Sequence, residues 1–332
     1  MLPFKLWGSE NELKKELPNS EILLIYEAKM CNPNGDPDAE NRPRIDPKTN
    51  INLVSDVRLK RFFRDYLVEK FGEGHVYVTK ISGESVRADT RVEKLLGTLD
   101  ESKVHEVLRK CLDARLFGAT VPIGKGEVER GASKSFVGPV QFTWGFSLHK
   151  VELMDSSAIT SIFSGREAAE RYGTMGRDWR VYYSLISFYG VVSGRRAEGT
   201  GMTEDDLKVF DNFLWKALQV QPTTRSKIGE RPHLYLRIEY KDSETVLGDL
   251  RRFVKVTPKT ETIRDLKDLD LNFDCLADHI KQNFNLISKV YIITSEDLSP
   301  VKDLIKGCSA EKFCALPHEL TDAQLEAIVK KA

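Results

Sequence analysis

The 332-residue sequence lacks the marks of several common chemistries, and each absence removes a class of function. No apolar run reaches the eighteen or so residues that cross a bilayer, and the opening MLPFKLWGSENELKK has no signal-peptide apolar stretch. A cytoplasmic chain with no membrane partner is expected. Five cysteines, at 31, 111, 275, 308 and 314, are an odd number without CxxC spacing, which removes a disulfide framework and a zinc site. The histidines at 75, 105, 149, 233, 279 and 318 form no HxH, HxxxH or HExxH pair, and no GKS or GKT is present, so neither metal nor nucleotide cofactor is expected. Net charge is absent too: 50 basic and 50 acidic residues cancel, whereas a free-standing nucleic-acid binder is usually basic. Residues 242–332 are slightly acidic, so a basic patch has to come from folding that gathers arginines of the preceding part.

What is present is a junction. Between the apolar EILLIYEAKM and the basic, amphipathic VSDVRLKRFFRDYLVEKF runs the loop CNPNGDPDAENRPRIDPKTN, Cys31 to Asn50. It puts polar backbone, Asn32 and Asn34, and several arginines where a strand hands over to a helix. The first helical N–H groups lack partners and the helix dipole favours negative charge, so an anion, best a chain of phosphates, is the natural guest. Asn-Pro-Asn-Gly is equally a good turn sequence.

Alternation predicts strands over Glu21–Met30, His75–Lys80, Val181–Val192 and Leu234–Tyr240, and a long one over Phe136–Leu148 with Trp144 on its apolar face. Ser55 or Asp56 can cap a helix that buries Leu59, Phe62, Phe63, Tyr66 and Leu67 and turns Arg58, Lys60, Arg61 and Arg64 outward. Thr203 can cap a second, acidic in its first turn. A helix near Ser102–Leu116 is expected within an inserted stretch. Residues 258–332 read as a helix near Asp274–Phe284, a strand near Val290–Thr294 and a helix at Asp322–Lys331. The order approximates a ferredoxin-like β-α-β-β-α-β unit, an α+β fold whose sheet carries helices on one face and leaves the other open. RNA-recognition-motif (RRM-like) domains present single-stranded RNA in that way.

Four motifs in order, NPNGDPDAENRPR with SDVRLKRFFRDYL, RLFGA at Arg115–Ala119, GPVQFTWGFSLH at Gly138–His149, and YGTMGRDWRVYYSLISFYGVVS at Tyr172–Ser193, resemble the repeated backbone subunit of type I CRISPR surveillance complexes (Cascade) in its subtype I-B form. The resemblance covers roughly residues 20–240. It implies a hand: an RRM-like palm (20–82 and 136–241), an inserted finger region (83–135), a thumb hairpin (155–180) and a small α+β C-terminal extension (242–332). It also implies a filament of copies along guide CRISPR RNA, joined by other Cascade subunits, with target DNA read through the guide. The RNA-binding candidates are Asn32, Asn34, Ser55, Arg58, Arg61, Met175, Arg177, Trp179, Arg225 and Lys227; Met175 with Trp179 offers a wedge against bases. The rival function is metal-assisted cleavage of RNA by Asp36, Asp38 or Asp46, because related type III subunits use an Asp in the corresponding loop.

Overall fold

Strand Ser20–Cys31 pairs antiparallel with Val181–Val192 along one edge and with Glu230–Tyr240 along the other. The computed structural model describes residues 16–124, 132–155, 158–164 and 173–331. The nine-stranded sheet continues on one side through Gly145–Ser147, Ile51–Val54 and Ile45–Asp46, and Val140–Phe142 also pairs with Val181–Val192. On the other side it continues through Ile287–Thr294 to Phe313–Ala315, which is the parallel pair. The fold is thus α+β with a mixed central sheet.

Two helices, Asp56–Phe71 and Glu204–Val220, cover one face. Both start where short polar side chains satisfy orphan N–H groups. The Ser55 hydroxyl accepts from Arg58 N–H at 3.3 Å, and Thr203 and Asp206 form a reciprocal capping box. Their apolar stripes, Leu59, Phe62, Phe63 and Leu67 against Phe210, Phe213 and Leu214, close over Ile22, Leu24 and Tyr26 of the first strand.

The opposite face is closed as well, which corrects the expectation of an open one. Leu23, Ile25, Leu185, Leu234 and Leu236 are buried beneath Leu250, Ile263, Phe273, Leu276 and Ile280. The chain after Tyr240 covers this face and contributes two strands to the sheet. An uninterrupted apolar run such as ILLI is what a strand buried on both faces requires.

Three further expectations fail for identifiable reasons. Residues 75–80 form no strand. The buried Arg91 guanidinium donates to the carbonyls of Glu73, Val76 and Tyr77, and the Asp113 carboxylate accepts from the N–H groups of Tyr77 and Val78, so side chains replace a ladder. The helix expected near Ser102–Leu116 divides at the extended Cys111 into Val104–Lys110 and Leu112–Phe117, and it is preceded by a helix over Ala88–Leu96 that periodicity does not announce. These pack with the hairpin Gly118–Ile123/Ala132–Val137 around their own small core.

The long strand over Phe136–Leu148 is broken by a bulge. Phe142 lies opposite Gly190 and Phe146 opposite Ser187, leaving Thr143, Trp144 and Gly145 facing two residues. The extra residue inverts the alternation, so Trp144 is 46% exposed while Ser147 is buried. Gly145 makes the bend possible, since a Cβ there would lie 2.4 Å from the Phe188 ring. Ala158–Ser164 and Gly173–Arg177 pair antiparallel, as a hairpin within 155–180 requires; residues 165–172 of that stretch and 125–131 of the inserted region lie outside the described residues.

A fragment 1–241 should aggregate or fail to melt cooperatively, because removing residues 242–332 bares the second sheet face; a monodisperse, cooperative fragment in size-exclusion chromatography and calorimetry would show that cover to be dispensable. In the intact chain, Ile292→Ala should lower unfolding free energy in urea by about 2–5 kcal/mol.

Candidate nucleic-acid interface

Three segments remote in sequence meet at the Cys31 end of the first strand: the opening loop, the root of the hairpin at Arg177–Arg180, and the loop Gln221–Gly229. Backbone bonds lock the first and third, Asn32 N–H to Ser226 O at 2.8 Å and Lys29 N–H to Gly229 O at 2.9 Å. The Lys227 ammonium donates to the carbonyls of Asn32 and Pro33, the latter at 3.0 Å. Arg180 donates to Met30 O at 2.6 Å and holds Asp178, whose carboxylate also lies 3.9 Å from Arg225. Arg177 forms an ion pair with Glu40.

The opening loop departs from ordinary backbone in the process. Met30, Glu40, Asn41 and Asn50 have φ between 51° and 61°, a region that side chains other than Gly and Asn rarely enter. Gly35 serves close approach rather than positive φ: a Cβ on it would sit 1.9 Å from Asn41 Oδ1.

Asn32 is buried, 2% exposed, with its amide donating to Asn41 O at 2.7 Å and its Oδ1 lacking a hydrogen-bond partner. Asn34 Oδ1 accepts from Ser55 N–H at 2.8 Å, so Asn34 and the capping Ser55 hold the loop against the helix start. Arg58 is half-buried, its guanidinium 3.9 Å from the Phe62 ring centre and its Nε without a hydrogen-bond partner. Val57 beside it is 64% exposed. Arg225 is exposed above this junction. Arg61 points elsewhere along the helix and pairs with Asp65 at 2.5 Å. Trp179 is half-buried under the Arg42 guanidinium at 4.9 Å, its indole N–H unpartnered. Met175 lies opposite Thr160 in the hairpin, and its side chain is outside the described residues.

The helix is less basic outside than its sequence implies. Lys60 and Arg64, expected on the outer face, are instead buried, because the inserted region packs on them. Arg64 Nε donates to the fully buried Asp113 at 2.9 Å, and Lys60 reaches Asp56 at 2.9 Å and Gln141 at 3.2 Å, both cations lying 5.4 Å from the Phe117 ring centre. Arg115 of RLFGA is a buried strut as well, donating to Asp206 at 3.0 Å and to Ile328 O at 2.9 Å.

One residue of the site escapes sequence reasoning. Glu230, next after Gly229, is 6% exposed, and neither carboxylate oxygen has a hydrogen-bond partner. Burial pushes its pKa up to about 8 against the pull of Arg58 and Lys227; burial likewise brings Lys227 down to about 8, with Glu230 opposing. The sequence signal, a lone Glu ahead of an alternating strand, reads as an exposed strand end.

The loop carboxylates have local uses. Asp36 pairs with Arg44 at 3.1 Å and accepts from Asp38 N–H at 3.2 Å; Asp46 closes a turn by accepting from Thr49 Oγ1 at 2.6 Å and Lys48 N–H at 3.0 Å, which lowers its pKa. Among the described residues no group of three or more His, Cys, Asp or Glu is placed to hold a metal ion, and no helix is long and apolar enough to cross a membrane.

Fold and site together define an α+β protein with a helical insertion, a long hairpin and a basic junction assembled from three segments. The model of the family "CRISPR-associated protein Cas7" matches residues 18–274, and the chain belongs to that family. A curated relative, "CRISPR-associated protein Cas7" of Haloferax volcanii, is 32% identical over 297 residues, 83% of this chain and 87% of the relative. Among solved structures, a chain of a "CRISPR RNA-guided surveillance complex" aligns over 94% of this chain and 98% of its own with 16% identity and a TM-score of 0.49. A chain of the "CRISPR RNA-guided surveillance complex, pre-nicking" aligns over 94% and 99% with 14% identity and the same TM-score.

Arg64→Ala should cost about 3–5 kcal/mol in urea denaturation because it strands the buried Asp113 carboxylate, whereas Arg61→Ala, on the same helix but exposed, should leave the midpoint unchanged. Equal losses would refute the division of the helix into an internal and an external basic face.

Proposed function

We propose that this chain is a non-catalytic backbone subunit that binds guide CRISPR RNA, polymerises along the spacer in a type I Cascade complex with other Cascade subunits, and presents the guide for pairing with target DNA. Membership of the CRISPR-associated family supports the setting. The observation that carries the binding role is the convergence of Arg58, Arg177, Arg225 and Lys227, drawn from the helix, the hairpin root and the Gln221–Gly229 loop, beside a helix start capped by Ser55 and braced by Asn34.

The order of the elements fits a ferredoxin-like, RRM-like palm formed by residues 20–82 and 136–241. Strand, helix, strand, strand, helix, strand lie spatially as Glu230–Tyr240, Ser20–Cys31, Val181–Val192 and the Val140–Ser147 pieces. Residues 83–135 serve as the finger region, 155–180 as the thumb and 242–332 as the extension. Because both sheet faces are covered, the RNA path runs over the strand ends at the junction rather than across the sheet. Phosphates then meet Arg58, Arg177 and Arg225, while the exposed Val57, Met30 and Ile228 offer apolar contact to sugars and bases. None of these groups distinguishes one base from another, which suits a holder whose sequence information resides in the guide.

Replacing Arg58 and Arg225 by Ala should weaken single-stranded RNA binding to a similar degree for unrelated sequences. It should also flatten the dependence of log K on log salt by about 0.7 for each phosphate that is no longer neutralised. A loss confined to one sequence would contradict the phosphate assignment. Incubation of labelled RNA complementary to a bound guide with magnesium or manganese should leave it intact; cleavage abolished by Asp36→Ala or Asp38→Ala would replace this reading by a nuclease.

A further inference from the structure

Glu230 is out of place for a structural carboxylate. Other buried acids of this protein are well partnered: Asp211 receives Arg237, Tyr235 and His318, and Glu21 receives the hydroxyls of Tyr189 and Tyr240 with the N–H groups of Leu247 and Gly248. Glu230 is deeply buried too, yet both its oxygens lack a hydrogen bond, although two cations stand close enough to act on its charge. Those cations are themselves incompletely used. Arg58 Nε is buried without a partner, and Lys227 spends its ammonium on carbonyls rather than on the acid three residues further along the chain.

The groups facing Glu230 come from three elements. Strand Ser20–Cys31 contributes Tyr26 and Cys31, both held in their neutral forms by burial; the helix contributes Arg58, and the loop contributes Lys227. Residue Glu230 also lines a cleft of about 500 Å³ together with Glu27, Lys29 and Arg231, although its two carboxylate oxygens are themselves buried.

We propose that Glu230 is a positioning residue for the RNA grip, its buried, partnerless carboxyl acting by charge on Arg58 and Lys227 and taking up a proton when a phosphate engages them. This rests on the guide-RNA reading of the site. The physics is one of competition: an ionised Glu230 and a phosphate oxygen both draw on the same two cations, and a second negative charge brought beside a buried carboxylate favours its protonated form. The sign follows. Below a pKa of about 8 the carboxyl is already neutral and binding costs no proton; above it binding must load one, so affinity falls as pH rises through that region, approaching tenfold per unit for one proton.

The test is equilibrium binding of the full chain to a single-stranded RNA of adenosine and cytidine only, whose bases lose no proton in the range, from pH 6.5 to 9 at fixed ionic strength. Calorimetry accompanies it in two buffers that differ in ionisation heat. The wild type should hold constant affinity to about pH 7.5 and then weaken, with buffer-dependent heats that report proton uptake at pH 8.5. Glu230→Gln, which keeps the shape, should make the profile shallower, leaving only the slope that Lys227 contributes. Lys227→Arg, which cannot release a proton here, should retain a slope. A Glu230→Gln profile as steep as wild type, or a slope that vanishes completely in Lys227→Arg, would move the proton elsewhere and overturn the proposal. The heats of the wild type decide the matter even if the variant does not fold: RNA binding without proton uptake overturns this proposal alone, and no RNA binding at pH 7 overturns the reading of the site with it.

Discussion

The strand Ser20–Cys31 is bonded along both edges and buried on both faces, and the geometry at the junction follows from that confinement. A strand held on four sides cannot shift register without moving its whole apolar set to the wrong face. Its end therefore delivers Met30, Cys31 and Asn32 to a fixed place. Backbone bonds from Gly229 and Ser226 and side-chain bonds from Arg180 and Lys227 then attach the other two segments to that fixed end. The unusual φ angles at Met30 and Glu40 are tolerable because so many partners determine them.

Much of this scaffold was legible in the sequence wherever local signals and tertiary demand agreed. The strands Ser20–Cys31 and Val181–Val192, the cap at Ser55 and the capping box at Thr203 stand where periodicity and cap chemistry place them. Legibility failed where one side chain did the work of a ladder, as Arg91 and Asp113 do around Tyr77, or where one extra residue inverted an alternation, as at Trp144. It failed again for the second sheet face, since nothing local in LLIY says that residues 250–305 come to cover it.

The site divides the same way. Exposed arginines such as Arg225 are readable from composition and turn context, but Lys60 and Arg64 lie on a face whose neighbour is an inserted region almost fifty residues on, so helical periodicity alone assigns them to solvent. Asn32 and Asn34 are close to the proposed ligand path yet act inward, through Asn41 and Ser55. Glu230 was invisible because its significance is an absence of hydrogen bonds, a property of packing and not of residue type.

A chain with zero formal charge can still gather cations at one place, and the disposition of its charges shows how. Many of its acids and bases are consumed internally: Asp113 by Arg64, Asp206 by Arg115 and Lys331, Asp211 by Arg237. Such pairs contribute little field outside the protein, and exposed charges farther apart than about 8 Å are screened at physiological salt. The sign of the junction is thus set by its few incompletely neutralised groups. Arg58 has no hydrogen-bond partner for its Nε, and Arg225 stands 3.9 Å from Asp178, a carboxylate already bound twice by Arg180. The whole-chain sum therefore says little about the strand end, where Arg58 and Arg225 are less fully paired than the buried cations of the core.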